Sequence, residues 1–341
     1  MLIRSSLPAR IAAILADLPD ADPLAALLRL NQKGLDQLPL PGAESGATLA
    51  RWQALAAVGA HSLTLAKLYE GHLDAIAILT EAGRADLAAN GVWGTWCAEP
   101  PHARLRFDAT TQTVTGRKAW CSGAADATHA LVSCWNDADA PCLAAVAMHQ
   151  GGVTVTDEGW HAVGMAGSNS VDVVFDGATA TPVGAPGFYV ARPGFWHGGA
   201  GVAACWYGAT QTLALLLHTS IAERAAAGQP VDAHRLAQLG EVDVALQATG
   251  ALLREAATEI DAAPFENGIA RALRVRLAVE QCANTVLHAV GRALGAGPLC
   301  KDERVARLFA DLPVFLRQSH AERDLESLGR AITTESAPWQ L

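Results

Sequence analysis

Along the first 90 positions the apolar residues recur at helical spacing. Ile11, Ile14, Leu15 and Leu18 mark one face, and Leu63, Leu65, Leu68, Leu73, Ile76 and Ile78 lie in an Ala- and Leu-rich stretch from about Thr48 to Thr80. Asp22-Pro23 offers a cap and a first helical residue, and Pro39-Leu-Pro-Gly42 marks a break. The pattern changes at Gly91. Leu105-Arg-Phe, Thr113-Val-Thr, Ala130-Leu-Val-Ser, Leu143-Ala-Ala-Val-Ala-Met and Val153-Thr-Val-Thr are short runs separated by turn residues, which predicts a small antiparallel sheet. Three long helical patterns follow, over about 199–226, 232–261 and 266–294, with Leu273, Leu277, Leu287, Val290 and Leu294 on one face of the third. A last helical section, 302–332, contains Pro313, which should bend or restart it. The expected fold class is therefore α+β: an N-terminal helical domain (1–90), a small antiparallel β-domain (91–184) and a C-terminal four-helix bundle (185–341).

Composition narrows the classes of function. With 341 residues, 51% hydrophobic and 17% charged, the chain can bury a sizeable core. A net charge of -9 argues against a nucleic-acid partner, whose phosphates call for clustered Lys and Arg. The start, Met1-Leu-Ile-Arg-Ser-Ser-Leu-Pro8, has no long apolar core and predicts no secretory signal. Apolar stretches are interrupted within about 18 residues, so no membrane-spanning helix is expected. Seven dispersed cysteines without a Cys-x-x-Cys pair predict reduced thiols, a cytoplasmic location and no metal site.

Two runs in the strand-rich segment carry candidate chemistry: Lys118-Ala-Trp-Cys-Ser-Gly-Ala124 and Gly164-Met-Ala-Gly-Ser-Asn-Ser-Val-Asp-Val-Val-Phe-Asp176. An indole at Trp120 with a hydroxyl two residues later at Ser122 suits a flat, electron-poor heterocycle, which takes apolar contact from one and a hydrogen bond from the other. Together these runs resemble the middle domain of the acyl-CoA dehydrogenase family. The resemblance implies an FAD cofactor lying against Trp120, Cys121 and Ser122. A second family segment, usually Thr-Glu-Pro followed by a Gly/Ser loop, reads Trp96-Cys-Ala-Glu-Pro-Pro-His-Ala-Arg104, so backbone donors from Trp96, Cys97 and Ala98 are expected to face the flavin. The run Gly291-Arg-Ala-Leu-Gly-Ala-Gly297 resembles the turn that holds a neighbouring subunit's dinucleotide, which implies roles for Arg292, Gly295 and Gly297. The family's Arg-x-x-Phe-Gly run is replaced by Ala225-Ala-Ala-Gly-Gln-Pro230, which implies weaker binding of the oxidised cofactor.

The family's dehydrogenases use a glutamate to remove the α-proton of an acyl thioester, a weak acid that requires a positioned base. Counting from Asp311 puts that position on Ser319, and counting back from Arg330 puts it on Gln318. Neither is a base, and 198–208 contains no acid. His320 and Glu322 are the substitutes within reach. His197 and Trp196 read as packing at the start of a helix. Three readings follow: an acyl-CoA dehydrogenase-like oxidoreductase acting on a CH–CH bond, a flavin-dependent monooxygenase supplied with reduced flavin by a partner reductase, or a non-catalytic flavin-binding relative. Each takes a small-molecule ligand, an acyl thioester under the first, and the resemblance implies a homodimer or homotetramer.

Overall fold

The computed structural model describes residues 6–18, 22–88, 91–266, 268–333 and 339. The first five residues, on which the reading of the N-terminal start rests, lie outside them. Four helices come first: α1 (Leu7–Leu15), α2 (Pro23–Gln32), α3 (Ala47–His61) and α4 (Leu63–Glu81). Asp22 caps α2 through Ala25 N, and Ser62 caps α4 through Leu65 N, each accepting from a backbone N–H that a helix start leaves unpaired. The Pro39–Gly42 break is held from a distance. The carboxylate of Asp261 accepts from the backbone N–H groups of Gly42, Gly46 and Thr48 and from the Thr48 hydroxyl.

Seven strands follow: β1 (Trp93–Trp96), β2 (Leu105–Asp108), β3 (Thr113–Cys121), β4 (His129–Trp135), β5 (Pro141–Ala147), β6 (Val153–Val155) and β7 (Val171–Val183). Pairing runs β2–β3–β7–β5–β4 and returns to β2 through Arg106 and Trp135, so the strands close on themselves, while β6 adds to β7. Most neighbours are antiparallel as expected; β1 joins β4 in parallel. Closure buries one face of each strand, with Leu105, Phe107, Val114, Val132, Val173 and Phe175 inside. Gly116-Arg-Lys118, where a glycine would ordinarily signal a turn, lies within β3. The register slips at Gly116, whose positive φ lets the strand bulge where a Cβ would strike the Arg104 carbonyl.

After a short turn of helix, α5 (Phe188–Ala191), come the long helices α6 (Gly194–Ala226), α7 (Ala233–Ala262) and α8 (Ile269–Leu294), close to the bounds that periodicity predicts. α6 is long and apolar enough to span a bilayer by length and composition, yet 72% of its most apolar stretch is buried inside the molecule, as befits a core helix. It packs on α3 where side chains vanish: a Cβ on Gly208 would strike the Ala56 carbonyl, and one on Gly59 the Cys205 carbonyl. The chain ends in α9 (Ala296–Lys301), α10 (Glu303–Phe315), a 3-10 turn (Leu316–Gln318) and α11 (Glu322–Ile332). Pro313 sits in the last turn of α10, and the predicted restart falls between Ser319 and Ala321, whose φ is +47°. The fold is thus helices, a small closed sheet, then helices.

Candidate active site

A cavity of about 850 Å³ opens where the sheet, α4 and the turn after α10 meet. One wall is a polar stripe on an otherwise apolar helix: Lys67, Glu70, Gly71 and Asp74 of α4, at i, i+3, i+4 and i+7. Opposite are β1, the end of β3 and the start of β5, and the floor carries Phe315, Arg317, Gln318 and His320. The run from Gly164 docks this assembly onto α10. Met165 N donates to Asp311 Oδ1 at 2.5 Å, and Gly164 is so close to the Ala310 carbonyl that no side chain fits.

The end of β3 is shaped by a second register slip, between Lys118 and Cys121. Trp120 takes φ +57°, an unusual conformation for a bulky residue, and turns its indole outward onto the cavity, 51% exposed between two buried neighbours. Cys121 points the other way, its Sγ 3.3 Å from the Lys118 carbonyl inside the sheet. Of the expected triplet, Trp120 and Ser122 therefore face the cavity, and Cys121 does not line it. Behind Ser122 lies a row of hydroxyls: its Oγ is 2.7 Å from Ser170 Oγ, which is 2.9 Å from Ser168 Oγ, which donates to the Met165 carbonyl at 2.8 Å. Trp96 locks this corner by donating from Nε1 to the Ser122 carbonyl at 3.2 Å.

Trp96, Cys97 and Ala98 line the cavity, followed by Glu99. Burial pushes the Cys97 thiol up to about 12, so it stays protonated and unreactive at neutral pH. Glu99, partly exposed on the cavity wall, closes a network around the buried Lys118. Lys118 Nζ, with no exposed surface, reaches Glu99 Oε1 at 2.7 Å and Ser133 Oγ at 2.6 Å. Trp135 Nε1 donates to Glu99 Oε2 at 3.0 Å, and Ser133 bonds the same carboxylate. Burial raises the Glu99 pKa, but the hydrogen bonds from Lys118, Ser133 and Trp135 outweigh it and hold the group below its ordinary value.

The position of the missing glutamate resolves into two different surroundings. Gln318 lines the cavity, whereas Ser319 is buried behind it and donates to Glu280 Oε2 at 2.5 Å. His320 lines the rim with its ring largely exposed, Nδ1 3.3 Å from Asp324 Oδ1. Glu322 begins α11 as an exposed residue and does not line the cavity. Arg292 and Gly295 at the end of α8 and Gly297 in α9 are exposed, outside the cavity of this chain. His197 is buried and off the cavity, held at about 4 by burial and by Arg271 and Arg192, while its neighbour Phe195 reaches the wall.

Sequence reasoning missed Lys67, Glu70 and Asp74, although their helical spacing was there to read. It also missed Arg276 and the aromatic side chains of Tyr189 and Trp160, for which no local pattern exists. Charged groups of the wall are held in four ion pairs besides that of His320: Lys67 with Glu70 at 3.0 Å, Asp74 with Arg192 at 3.3 Å, Glu99 with Lys118, and Arg317 with Glu280. Arg276 donates to the carbonyls of Gly199 and Gln318. The exposed indole, the hydroxyl row and the aromatic walls fit a planar heterocycle, while the cations of this wall are engaged and leave a phosphate tail to be met elsewhere.

A scan against protein-family models finds no match, and a search of the curated proteins finds none either. Among solved structures, the chain is similar to FMN-bound TdsC from Paenibacillus sp. A11-2, at TM-score 0.79 and 17% identity over 95% of this chain and 94% of that one. TdsC is a dibenzothiophene monooxygenase. A nitrososynthase from Micromonospora carbonacea var. africana matches at 0.77 and 20% identity, over 95% of this chain and 94% of that one. The methanesulfinate monooxygenase MsuC from Pseudomonas fluorescens matches at 0.75 and 16% identity, over 99% of both chains. At such identities the likeness is one of fold, and the fold is acyl-CoA dehydrogenase-like.

Proposed function

We propose that this chain is a flavin-dependent monooxygenase that receives reduced flavin from a separate reductase and oxygenates a small aromatic or sulfur-bearing molecule. The observation that carries the reading is that neither position read as the dehydrogenase base holds one: Gln318 is a neutral amide on the cavity wall and Ser319 a hydroxyl buried behind it. The acids that do line the wall are a poor substitute. Glu70, Asp74 and Glu99 are each paired with a cation, and Glu99 is held ionised by its hydrogen bonds, which makes it a weak base. Oxygenation by reduced flavin needs no α-proton base, so Gln318 is no obstacle to it. Two monooxygenases among the similar structures support the same choice.

The roles of the chain's own residues follow from their placement. Trp120 and Ser122 form the wall for the flavin ring, and the backbone from Trp96 to Ala98 borders its edge. Tyr189, Phe195, Trp160 and Phe315 exclude water from the substrate side. The flavin supplies the electrons that activate oxygen. We assign FMN, the flavin bound in the similar TdsC and KijD3 structures; FAD is the alternative that requires Arg292, Gly295 and Gly297 of a second copy. His320, on the rim, is the group placed to exchange a proton with solvent.

The test supplies reduced FMN under 18O2 with a panel of heteroaromatic and organosulfur compounds. One atom of label in a product is expected. Bleaching of bound oxidised flavin by an acyl thioester without oxygen would overturn the reading in favour of dehydrogenation.

A further inference from the structure

The three serines behind Trp120 have a direction. Each hydroxyl has one proton to give and lone pairs to receive with. Ser168 Oγ lies 2.8 Å from the Met165 carbonyl, which can only accept, so the Ser168 proton is spent there. Ser170 must then donate across its 2.9 Å contact to Ser168, and Ser122 must donate across its 2.7 Å contact to Ser170. Ser168 and Ser170 border the cavity but expose only 1% and 4% of their surface, so little water competes for these bonds. The Met165 carbonyl is itself fixed, receiving Trp160 Nε1 at 3.2 Å and Ser168 N at 3.0 Å, while the amide of Met165 is tied to Asp311.

We infer that this one-way row turns the Ser122 proton away from the cavity and presents a lone pair to it, so that the site selects the reduced flavin, with Ser168 and Ser170 as positioning residues. The inference rests on the flavin reading above and deepens it. Oxidised and reduced flavin differ at the central ring nitrogen. The oxidised ring offers a lone pair there and wants a donor; reduction adds two electrons and a proton at that nitrogen, which becomes a donor that wants an acceptor. A hydroxyl free to rotate would serve both. A hydroxyl whose proton is committed serves the reduced ring and meets the oxidised ring lone pair to lone pair. An enzyme fed by a reductase gains from this, because spent flavin is released and reduced flavin is held.

The experiment measures dissociation constants of oxidised and reduced FMN by anaerobic calorimetry on the full chain and on single variants. In the unaltered protein the reduced form is expected to bind at least tenfold more tightly, equivalent to a rise of about 30 mV in the bound two-electron potential. Ser168→Ala and Ser170→Ala free the Ser122 proton to turn outward. Both should tighten oxidised FMN and shrink the ratio about tenfold. Ser122→Ala removes the acceptor and the repulsion together, so it should weaken reduced FMN and leave the oxidised form bound no less tightly. If both forms bind but the ratio is the same in Ser168→Ala, Ser170→Ala and the parent, the directional row is wrong and the flavin reading survives. If neither form binds the unaltered protein, the flavin reading fails, and this inference with it. A Ser170→Cys variant, which keeps volume but donates weakly, guards against misfolding: it should fall between the parent and Ser170→Ala.

Discussion

At the scale of single residues, the charges that matter most are those with least access to water. Lys118 is fully buried, and its compensation is Glu99. Glu99→Gln should cost about 3 kcal/mol, the usual cost of stranding a buried charge, whereas Lys118→Met together with Glu99→Gln should recover much of it. Denaturant midpoints of the three proteins decide this. Glu99 also links stability to pH. Its folded pKa lies below the ordinary 4.5, so its contribution is complete above that value and is lost as pH falls through the lower, folded one. His197 acts over a different window. Its folded pKa of about 4 against 6.5 means that the unfolded chain takes up the proton first, so stability is full above pH 6.5 and declines between 6.5 and 4. That decline amounts to about 3 kcal/mol at most. In His197→Phe the decline should flatten across that interval, as unfolding curves at stepped pH would reveal.

At the scale of elements, the contact of α3 with α6 depends on glycine. Gly208→Ala drives a methyl into the Ala56 carbonyl and should cost about 2–3 kcal/mol, read as a lowered melting temperature, while Gly240→Ala on an open face of α7 should change little or stabilise. The long helices were legible in sequence because 3.6-residue periodicity over 26 to 33 residues leaves little choice. Most strands were legible too, since turn residues bracket them. The bulges of β3 were not. Gly116 reads as a turn signal, and only its pairing with β2 and β7 shows that the strand continues through it. The candidate site was legible to the same degree. Trp120 and Ser122 could be picked out by their spacing, but the slip that turns Trp120 outward and Cys121 inward is a property of pairing, not of local pattern. Gln318 and Ser319 were indistinguishable from counting alone; the 3-10 turn puts one on the cavity and the other behind it.

At the scale of the whole molecule, α7 carries an apolar stripe open to solvent: Leu236, Gly240 and Val244 at i, i+4 and i+8, with the two large side chains 50% and 70% exposed. Leu215 on α6 is similarly open, at 61%. Such a surface is suited to a second copy, and sedimentation should find a species of at least twice the 35.5 kDa chain. Val244→Lys should shift that species toward the single chain, and an unchanged mass would place the contact elsewhere. The cavity has a further consequence. Of the chain's nine tryptophans, Trp96, Trp120, Trp135 and Trp160 stand on its wall, so nearly half of the molecule's intrinsic emitters surround whatever enters. A yellow chromophore seated among them would quench their light by energy transfer. The protein thereby carries an unlabelled gauge of its own occupancy, readable in a cuvette turnover by turnover.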